Sequence, residues 1–70
     1  MPLAYSPIGN AATVQRINGN DAMRRHLESL GFVAGTIVTI VSELNGDLIV
    51  NVKGTRVAIS KNLATRILVA

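Results

Sequence analysis

The stretch that most limits how this chain can fold runs from Asn20 to Val41, NDAMRRHLESLGFVAGTIVTIV. It starts with a good helix N-cap, because the side-chain oxygen of asparagine can accept a hydrogen bond from an amide of the first turn. Met23, Leu27 and Leu30 follow at helical spacing and form one apolar stripe. The pattern predicts a short amphipathic helix. A helix of this length is marginal alone, so its apolar side must pack on another element.

Gly31 directly follows the apolar stripe and predicts the end of the helix. Glycine adopts a left-handed backbone with the smallest steric penalty, and helices often end on such a residue. Phe32 would then fold back on Leu27, the apolar contact that accompanies this kind of ending. A second glycine, Gly35, predicts a turn into the β-branched run Ile37 to Val41.

Short strands joined by tight turns are predicted for the rest of the chain. Asn45-Gly46 is typical of a two-residue type I′ hairpin, and Gly54-Thr55 predicts another tight turn. Ser60 can cap a single helical turn that follows it. The predicted strands are Ala11–Ile17, Thr36–Ser42, Leu48–Val52, Arg56–Ser60 and Ile67–Val69. Five strands and one inserted short helix indicate a mostly β chain. We expect a small SH3-like five-stranded partly open barrel, which forms a single domain over residues 1–70.

Composition limits the chemistry that the chain can perform. Its 70 residues are 49% hydrophobic, with one Tyr, one Phe and no Trp, so we expect an aliphatic core over which Leu3, Tyr5 and Ile8 lie as a cover. The absence of cysteine excludes disulfides, thiolate metal sites and cysteine nucleophiles. No apolar run approaches the roughly 20 residues of a membrane span. We therefore expect a soluble, cytoplasmic protein that is not inserted in a membrane.

Seven Lys and Arg against four Asp and Glu give a net charge of +3, and the basic residues are scattered along the chain. Scattered charges usually solvate a surface. A small basic barrel that binds nucleic acid is the alternative, but stacking on bases requires exposed aromatic side chains, and the chain has few. The same shortage disfavours a reader of proline-rich peptides. We expect no nucleic-acid partner.

Metal binding and catalysis have little support in the sequence. His26 is the only histidine, and its neighbours on the helix are not strong metal ligands. No nucleophile–base pair, phosphate-binding glycine loop or pair of carboxylates at helical spacing is present. We expect a protein that is not an enzyme and has no cofactor and no metal site.

The arginines of the helix form the first candidate surface for a partner. Arg24 and Arg25 could simply form i,i+4 ion pairs, Arg24 with Glu28 and Arg25 with Asp21, each of which contributes little. They could also form a docking face for an acidic surface of another protein.

The second candidate surface lies on the strands. Three predicted strands are apolar on both faces, whereas a barrel of this size has room inside for one face only. Either the helix and the segment before the first strand cover the outer face, or part of that face is exposed. An exposed apolar patch marks an interface, either with a partner or between copies of the chain in a homo-oligomer. The candidate partner-binding residues are Arg24, Arg25, Ile37, Val41 and Ile49. We expect the strand face to supply affinity and the arginines to steer the encounter.

Several of these residues together resemble the FeoA domain family. The resemblance rests on Arg25-His26-Leu27-Glu28-Ser29-Leu30-Gly31-Phe32, Ala34-Gly35-Thr36, Gly9, Ala12-Thr13-Val14, Gly54, Val57-Ala58-Ile59 and Ala64-Thr65-Arg66-Ile67. It covers nearly the whole chain and consists mainly of turn glycines and core aliphatics. Ala34 departs from the family pattern, which commonly has proline there.

The resemblance implies an SH3-like barrel that serves as an accessory component of bacterial ferrous iron uptake. The partner that it implies is the cytoplasmic part of the membrane permease FeoB, which includes a GTPase domain. Similar domains also occur at the end of metal-dependent repressors, so the module of such a regulator is an alternative.

Overall fold

A computed structural model describes all 70 residues. The strands and helices are β1 (Ala11–Ile17), α1 (Asp21–Ser29), β2 (Ile37–Leu44), β3 (Asp47–Val52), β4 (Thr55–Ser60), α2 (Lys61–Ala64) and β5 (Ile67–Val69). They form one antiparallel sheet in the order β4-β3-β2-β1-β5. The two end strands, β4 and β5, are not paired with each other, so the curled sheet stays open. The predicted five-stranded, partly open barrel is confirmed.

Both hairpins of the sheet have two-residue turns. Asn45 and Gly46 have φ angles of 53° and 83°, and Lys53 and Gly54 have 51° and 79°. Positive φ at both central residues is what a type I′ turn requires. The first turn lies where the sequence predicts it. The second is centred one residue earlier than expected, because Thr55 already belongs to β4.

The two-residue turns also explain why several strand ends differ from the sequence prediction. A two-residue turn leaves its flanking residues paired, so Leu44 faces Asp47 and Val52 faces Thr55. Strand β2 therefore continues to Leu44, and β3 and β4 each begin one residue before the predicted start.

The interior is entirely apolar. Fourteen residues are buried and none of them is polar or charged. The core consists of Leu3, Val14, Ile17, Leu27, Phe32, Val38, Ile40, Leu48, Val50, Val52, Ile59, Ala64, Ile67 and Val69. An aliphatic core was expected from the composition, and its one aromatic member is Phe32.

Of the three residues predicted to cover the core from the segment before β1, only Leu3 does so. Leu3 is buried, whereas Tyr5 and Ile8 are 71% and 59% exposed, so the expected three-residue cover is wrong for these two. Leu3–Tyr5 forms a turn of 3-10 helix. With three residues per turn, positions two apart point in different directions, so Leu3 and Tyr5 cannot both face the core.

Helix α1 begins as the sequence predicts. The side chain of Asn20 accepts a hydrogen bond from the Met23 amide over 2.8 Å, which caps the first turn. Asp21 follows, where a negative charge is favourable near the positive end of the helix dipole. Of the apolar stripe, Leu27 is buried, and Met23 and Leu30 are half-buried.

The end of α1 is a Schellman motif. The Phe32 amide donates to the Leu27 carbonyl over 3.1 Å, and the Gly31 amide donates to the Glu28 carbonyl over 3.0 Å. Gly31 has a φ of 108°, as expected for the left-handed residue of this motif. A Cβ at this position would lie 2.8 Å from Cγ1 of Val52, so glycine is also needed for close packing on β3.

Helix α2 and strand β5 close the other side of the molecule. The Ser60 hydroxyl oxygen accepts a hydrogen bond from the Leu63 amide over 3.1 Å, the predicted cap of this single turn. The outer edge of β5 is covered by the start of the chain, because the Val69 amide donates to the Met1 carbonyl over 2.7 Å. Neither helix has the length and apolar character that a membrane crossing requires.

Candidate functional site

The largest concavity of the molecule is a groove between α1 and β1, with a volume of about 350 Å³. Buried core side chains form its floor, β1 supplies one wall, and α1 supplies the other. Its lining residues are Val14, Gln15, Arg16, Ile17, Arg24, Glu28, Phe32 and Ala34. Two guanidinium groups and one carboxylate therefore share a groove above an apolar floor. We call this surface the groove.

A β-bulge explains why two consecutive polar residues of β1, Gln15 and Arg16, line the groove. Val14 pairs with Val69 and Arg16 pairs with Leu68, so Gln15 is an extra residue with no counterpart on β5. A bulge of this kind redirects side chains and often lies near functional surfaces. Both Gln15 and Arg16 are exposed as a result, although strict alternation would have turned one of them towards the core.

The two helix arginines predicted as a docking face point in different directions. Arg24 lines the groove and forms an ion pair with Asp21, with 2.6 Å between Nη2 and Oδ1. Arg25 is exposed, lies outside the groove and has no ion pair. Successive helix residues differ by about 100° in direction, which separates the two guanidinium groups.

The ion pairs expected at i,i+4 on the helix are absent. Arg24 pairs with Asp21 three residues before it, not with Glu28, and Arg25 does not pair with Asp21. Glu28 is therefore a free carboxylate on the groove wall. The other ion pair of the chain joins Lys61 to Glu43 over 2.6 Å.

The predicted apolar strand face is divided in two. Ile37 is 64% exposed, whereas Val41 and Ile49 are half-buried. Thr39 pairs with Asn51 between these two places, so polar side chains interrupt the apolar surface. The outer apolar face predicted on these two strands is therefore not continuous.

Val41 and Ile49 are brought together by a second bulge. Ile40 pairs with Val50 and Ser42 pairs with Ile49, so Val41 is the extra residue of β2 at this level. On the far side Ile49 pairs with Ala58, which is exposed on β4. Val41, Ile49 and Ala58 thus form a small apolar area across three strands, which we call the strand patch.

His26 lies on the exposed side of α1. No group of three or more His, Asp and Glu side chains lies close enough to hold a metal ion. The expectation that the chain has no metal site stays a prediction for titration to test.

The fold and the sequence pattern have a match among known protein families. The family model of the FeoA domain matches residues 1–70. The chain belongs to the FeoA domain family. The resemblance that the helix, the glycines and the last strands indicate is therefore confirmed.

Several relatives support this membership. The FeoA chain described here is 31% identical over 68 residues to the putative Fe(2+) transport protein A of Methanocaldococcus jannaschii, covering 97% of this chain and 83% of that protein. A crystal structure of an iron uptake regulatory protein, FeoA, is 34% identical, with a TM-score of 0.91 over 100% of this chain and 93% of that one. FeoA of Stenotrophomonas maltophilia complexed with zinc, described as an SH3 domain protein, is also 34% identical, with a TM-score of 0.88 over 100% and 89% of the two chains.

A manganese-dependent transcriptional repressor has the same fold in part of its chain. It is 23% identical, with a TM-score of 0.90 that covers 100% of this chain and 35% of the repressor. At that identity the likeness concerns the fold alone.

Sequence reasoning missed the contribution of β1 to the groove. The signal was present, because the buried residues Val14 and Ile17 are three positions apart, whereas the residues on one face of a regular strand are two apart. Two polar residues between them, Gln15 and Arg16, indicate a bulge.

Proposed function

We propose that this FeoA chain is a non-enzymatic accessory and regulatory protein of ferrous iron transport. It acts in the cytoplasm as a small interaction module on the cytoplasmic part of a FeoB-type permease. The observation that supports this most strongly is the match of the FeoA family model to residues 1–70. The name of the relative in Methanocaldococcus jannaschii, a putative Fe(2+) transport protein A, agrees with it.

The strand patch is the surface that we assign to affinity. Burial of apolar area supplies most of the free energy of association, whereas charges at the rim of an interface mainly change the encounter rate. Val41 and Ile49 lie on adjacent strands at the level of the second bulge, so a partner, or a second copy of the chain, can cover them together. Arg24 and Arg25 lie elsewhere and would steer the approach. Ile37 adds a separate apolar contact.

Binding kinetics with a purified cytoplasmic domain of a FeoB-type permease test this assignment. Ile49→Asp should abolish binding, and Ile37→Asp, at a more exposed position, should weaken it with less risk to the fold. Light scattering on the same variants reports self-association, and circular dichroism reports whether each variant is folded.

The arginine variants supply the comparison. Arg24→Glu combined with Arg25→Glu should slow association modestly, by an amount that shrinks as salt is added. The assignment is wrong if this double variant loses all binding at high salt while both strand variants bind normally. A parent protein that does not bind the permease domain at all would contradict the proposed function itself.

A module of a metal-dependent regulator is the second candidate, since the same fold occurs within the chain of a manganese-dependent repressor. That likeness concerns the fold and does not by itself support a regulatory role. A small basic barrel that binds nucleic acid is a related alternative. Tyr5 is the only exposed aromatic side chain, since Phe32 is fully buried, so the surface offers no platform for stacked bases. We expect binding of DNA or RNA to be weak and lost at physiological salt. An oligonucleotide shift assay that finds tight, salt-resistant and sequence-specific binding would favour these alternatives.

A further inference from the structure

We propose that the groove binds a carboxylate-bearing segment of the protein partner, with Arg16 and Arg24 holding the carboxylate. This inference rests on the proposed function, because it assigns the chemistry of the partner that the module recognises. It adds a second contact to the strand patch, on a different part of the surface, and it gives Arg24 a direct contact in addition to steering. On this inference, part of the loss of affinity in Arg24→Glu combined with Arg25→Glu persists when salt is added.

Arg16 is the residue that points most directly to a ligand. Its side chain is exposed, and it has neither an ion pair nor a side-chain hydrogen bond within the chain. The bulge at Gln15 directs it into the groove instead of leaving it on a regular strand face. A guanidinium group has a planar fork of donors that matches the two oxygens of a carboxylate. Here that fork is not used by the protein itself.

Arg24 faces the same groove from the opposite wall. Its partner Asp21 is 71% exposed, and the Arg24 side chain is 46% exposed, so water screens this ion pair strongly. One guanidinium can donate to two carboxylates because it has five N–H groups. Arg24 can therefore keep Asp21 and still donate to a ligand that also reaches Arg16.

Glu28 makes the two ends of the groove differ in charge. It lies one helical turn after Arg24 on the same wall and has no ion pair. Its negative charge repels a second carboxylate at that end of the groove. The occupant that suits these charges has an acidic side chain beside Arg16 and Arg24, followed by an uncharged or basic residue beside Glu28.

A phosphate would satisfy the same guanidinium groups, but the rest of the groove favours a peptide. The floor is buried aliphatic and aromatic side chains, and Ala34 at the margin is small and exposed. A nucleic acid backbone would bring further phosphates past Glu28, and no exposed aromatic side chain lines the groove to stack a base.

Titration of ¹⁵N-labelled protein with two short peptides tests the inference. The probe is the peptide acetyl-Gly-Glu-Leu-Gly-amide, and its control has Gln in place of Glu. With the acidic peptide we expect amide shifts confined to the groove, at Gln15, Arg16 and Arg24. The Gln peptide should produce none of these shifts.

Variants of matched charge separate the groove from general electrostatics. Arg16→Gln should weaken binding of the acidic peptide at least fivefold. Arg56→Gln removes the same charge from β4, outside the groove, and should leave the affinity within twofold. Glu28→Gln should strengthen binding about twofold or more, because it removes the repulsion.

A short dT oligonucleotide serves as the phosphate probe. If the oligonucleotide shifts the same groove amides and binds with higher affinity than the acidic peptide at equal salt, the occupant is a nucleic acid and not a peptide.

Besides tighter binding of the oligonucleotide, three results of the peptide titrations would overturn the inference. They are shifts with the Gln peptide equal to those with the Glu peptide, unchanged affinity in Arg16→Gln, or an equal loss in Arg56→Gln. Its failure can be told from failure of the proposed function. If Arg16→Gln binds the permease domain as the parent does, the groove is not a docking site and the strand patch still stands. If the acidic peptide occupies the groove but the parent protein does not bind the permease domain, the carboxylate recognition holds and the partner is a different protein.

Discussion

The two ends of helix α1 differ in what surrounds them. At its C-terminal end Leu27 is fully buried, the backbone of Gly31 lies against Val52, and Phe32 fills the core. At its N-terminal end Asn20 and Asp21 are exposed, and the contacts there are made by their own side chains. The helix is only nine residues long, so an anchor to the core and a solvent-exposed polar wall lie within three turns of each other.

This difference separates stability from recognition. The C-terminal end cannot change without disturbing the core, because interiors are closely packed. The N-terminal end can change at little cost, because its contacts are made in water. We therefore expect substitutions along α1 to lower the free energy of unfolding more when they lie closer to Gly31. We expect them to change binding more when they lie closer to Arg24.

The largest loss should follow from Gly31→Val. A β-branched residue at positive φ costs on the order of 1–3 kcal/mol. The contact with Cγ1 of Val52 should add an overpacking cost of about 1–3 kcal/mol. Gly46→Val is the control, since a Cβ at Gly46 meets nothing within 4 Å and φ is also positive. Urea unfolding followed by circular dichroism measures both, and equal losses would show that the Val52 contact does not matter.

Leu27→Ala should be nearly as severe. It removes a fully buried side chain under the helix, and such substitutions cost about 2–5 kcal/mol because the cavity closes only in part. Leu44→Ala serves as the control, because Leu44 is an exposed leucine for which a change of at most about 0.5 kcal/mol is expected. If thermal unfolding shows the two variants to be alike, the C-terminal half of α1 is not the anchor.

A smaller loss is expected at the other end of the helix. Asn20→Ala removes the acceptor for the Met23 amide and should cost about 0.5–2 kcal/mol. Asn20→Asp keeps an acceptor at the same place and should recover most of the stability. The unfolding midpoint reports both. A larger loss here than in Leu27→Ala would reverse the comparison between the two ends.

Among these substitutions in α1, Asp21→Asn should have the smallest effect on stability and the clearest effect on binding of the acidic peptide. The loss of its charge near the helix N-terminus should cost about 0.3–1 kcal/mol. The same change frees the guanidinium of Arg24, so the acidic peptide should bind in the groove more tightly. Chemical denaturation and the NMR titration are run on the same sample. Weaker peptide binding would mean that Asp21 positions Arg24 for the ligand instead of competing with it.

We expect no measurable binding of ferrous iron or zinc to this chain. His26 lies between the two ends of α1, and it belongs to no group of three or more His, Asp and Glu side chains that could hold an ion. Calorimetric titration of metal-free protein with ferrous iron or zinc should show no stoichiometric binding at micromolar concentration. Stoichiometric heat that disappears in His26→Ala would reveal a site at this histidine.

Local sequence patterns predicted most of the fold. Caps and turns depend on a few adjacent residues, so Asn20, Gly31 and Asn45-Gly46 could each be assigned without knowledge of the rest. Short connections account for the pairing of β2, β3 and β4, whereas the pairing of β1 with β5 is not local. Tyr5 was misassigned because a 3-10 turn changes the direction of alternate residues, and nothing local shows that such a turn forms.

The candidate site was predictable only in part. Arg24 could be selected as a helix residue outside the apolar stripe, but that it shares a groove with Arg16 depends on how α1 and β1 lie in the folded chain. The division of the strand face depends on a bulge whose extra residue, Val41, is β-branched like its neighbours and leaves no mark in the sequence. Pairing register across strands was the missing information in both cases.

The two-residue turns also bear on the order in which the molecule assembles. Strands β2, β3 and β4 pair only with neighbours along the chain, whereas β1 pairs with β5, so that Val14 faces Val69. Closing a long loop costs more entropy than closing a short one, so we expect the three-stranded meander to form first and the β1–β5 ladder to form last. Amide exchange should then be fastest in that ladder. Because β1 also forms one wall of the groove, a ligand held by Arg16 would slow the opening of the part of the protein that folds last.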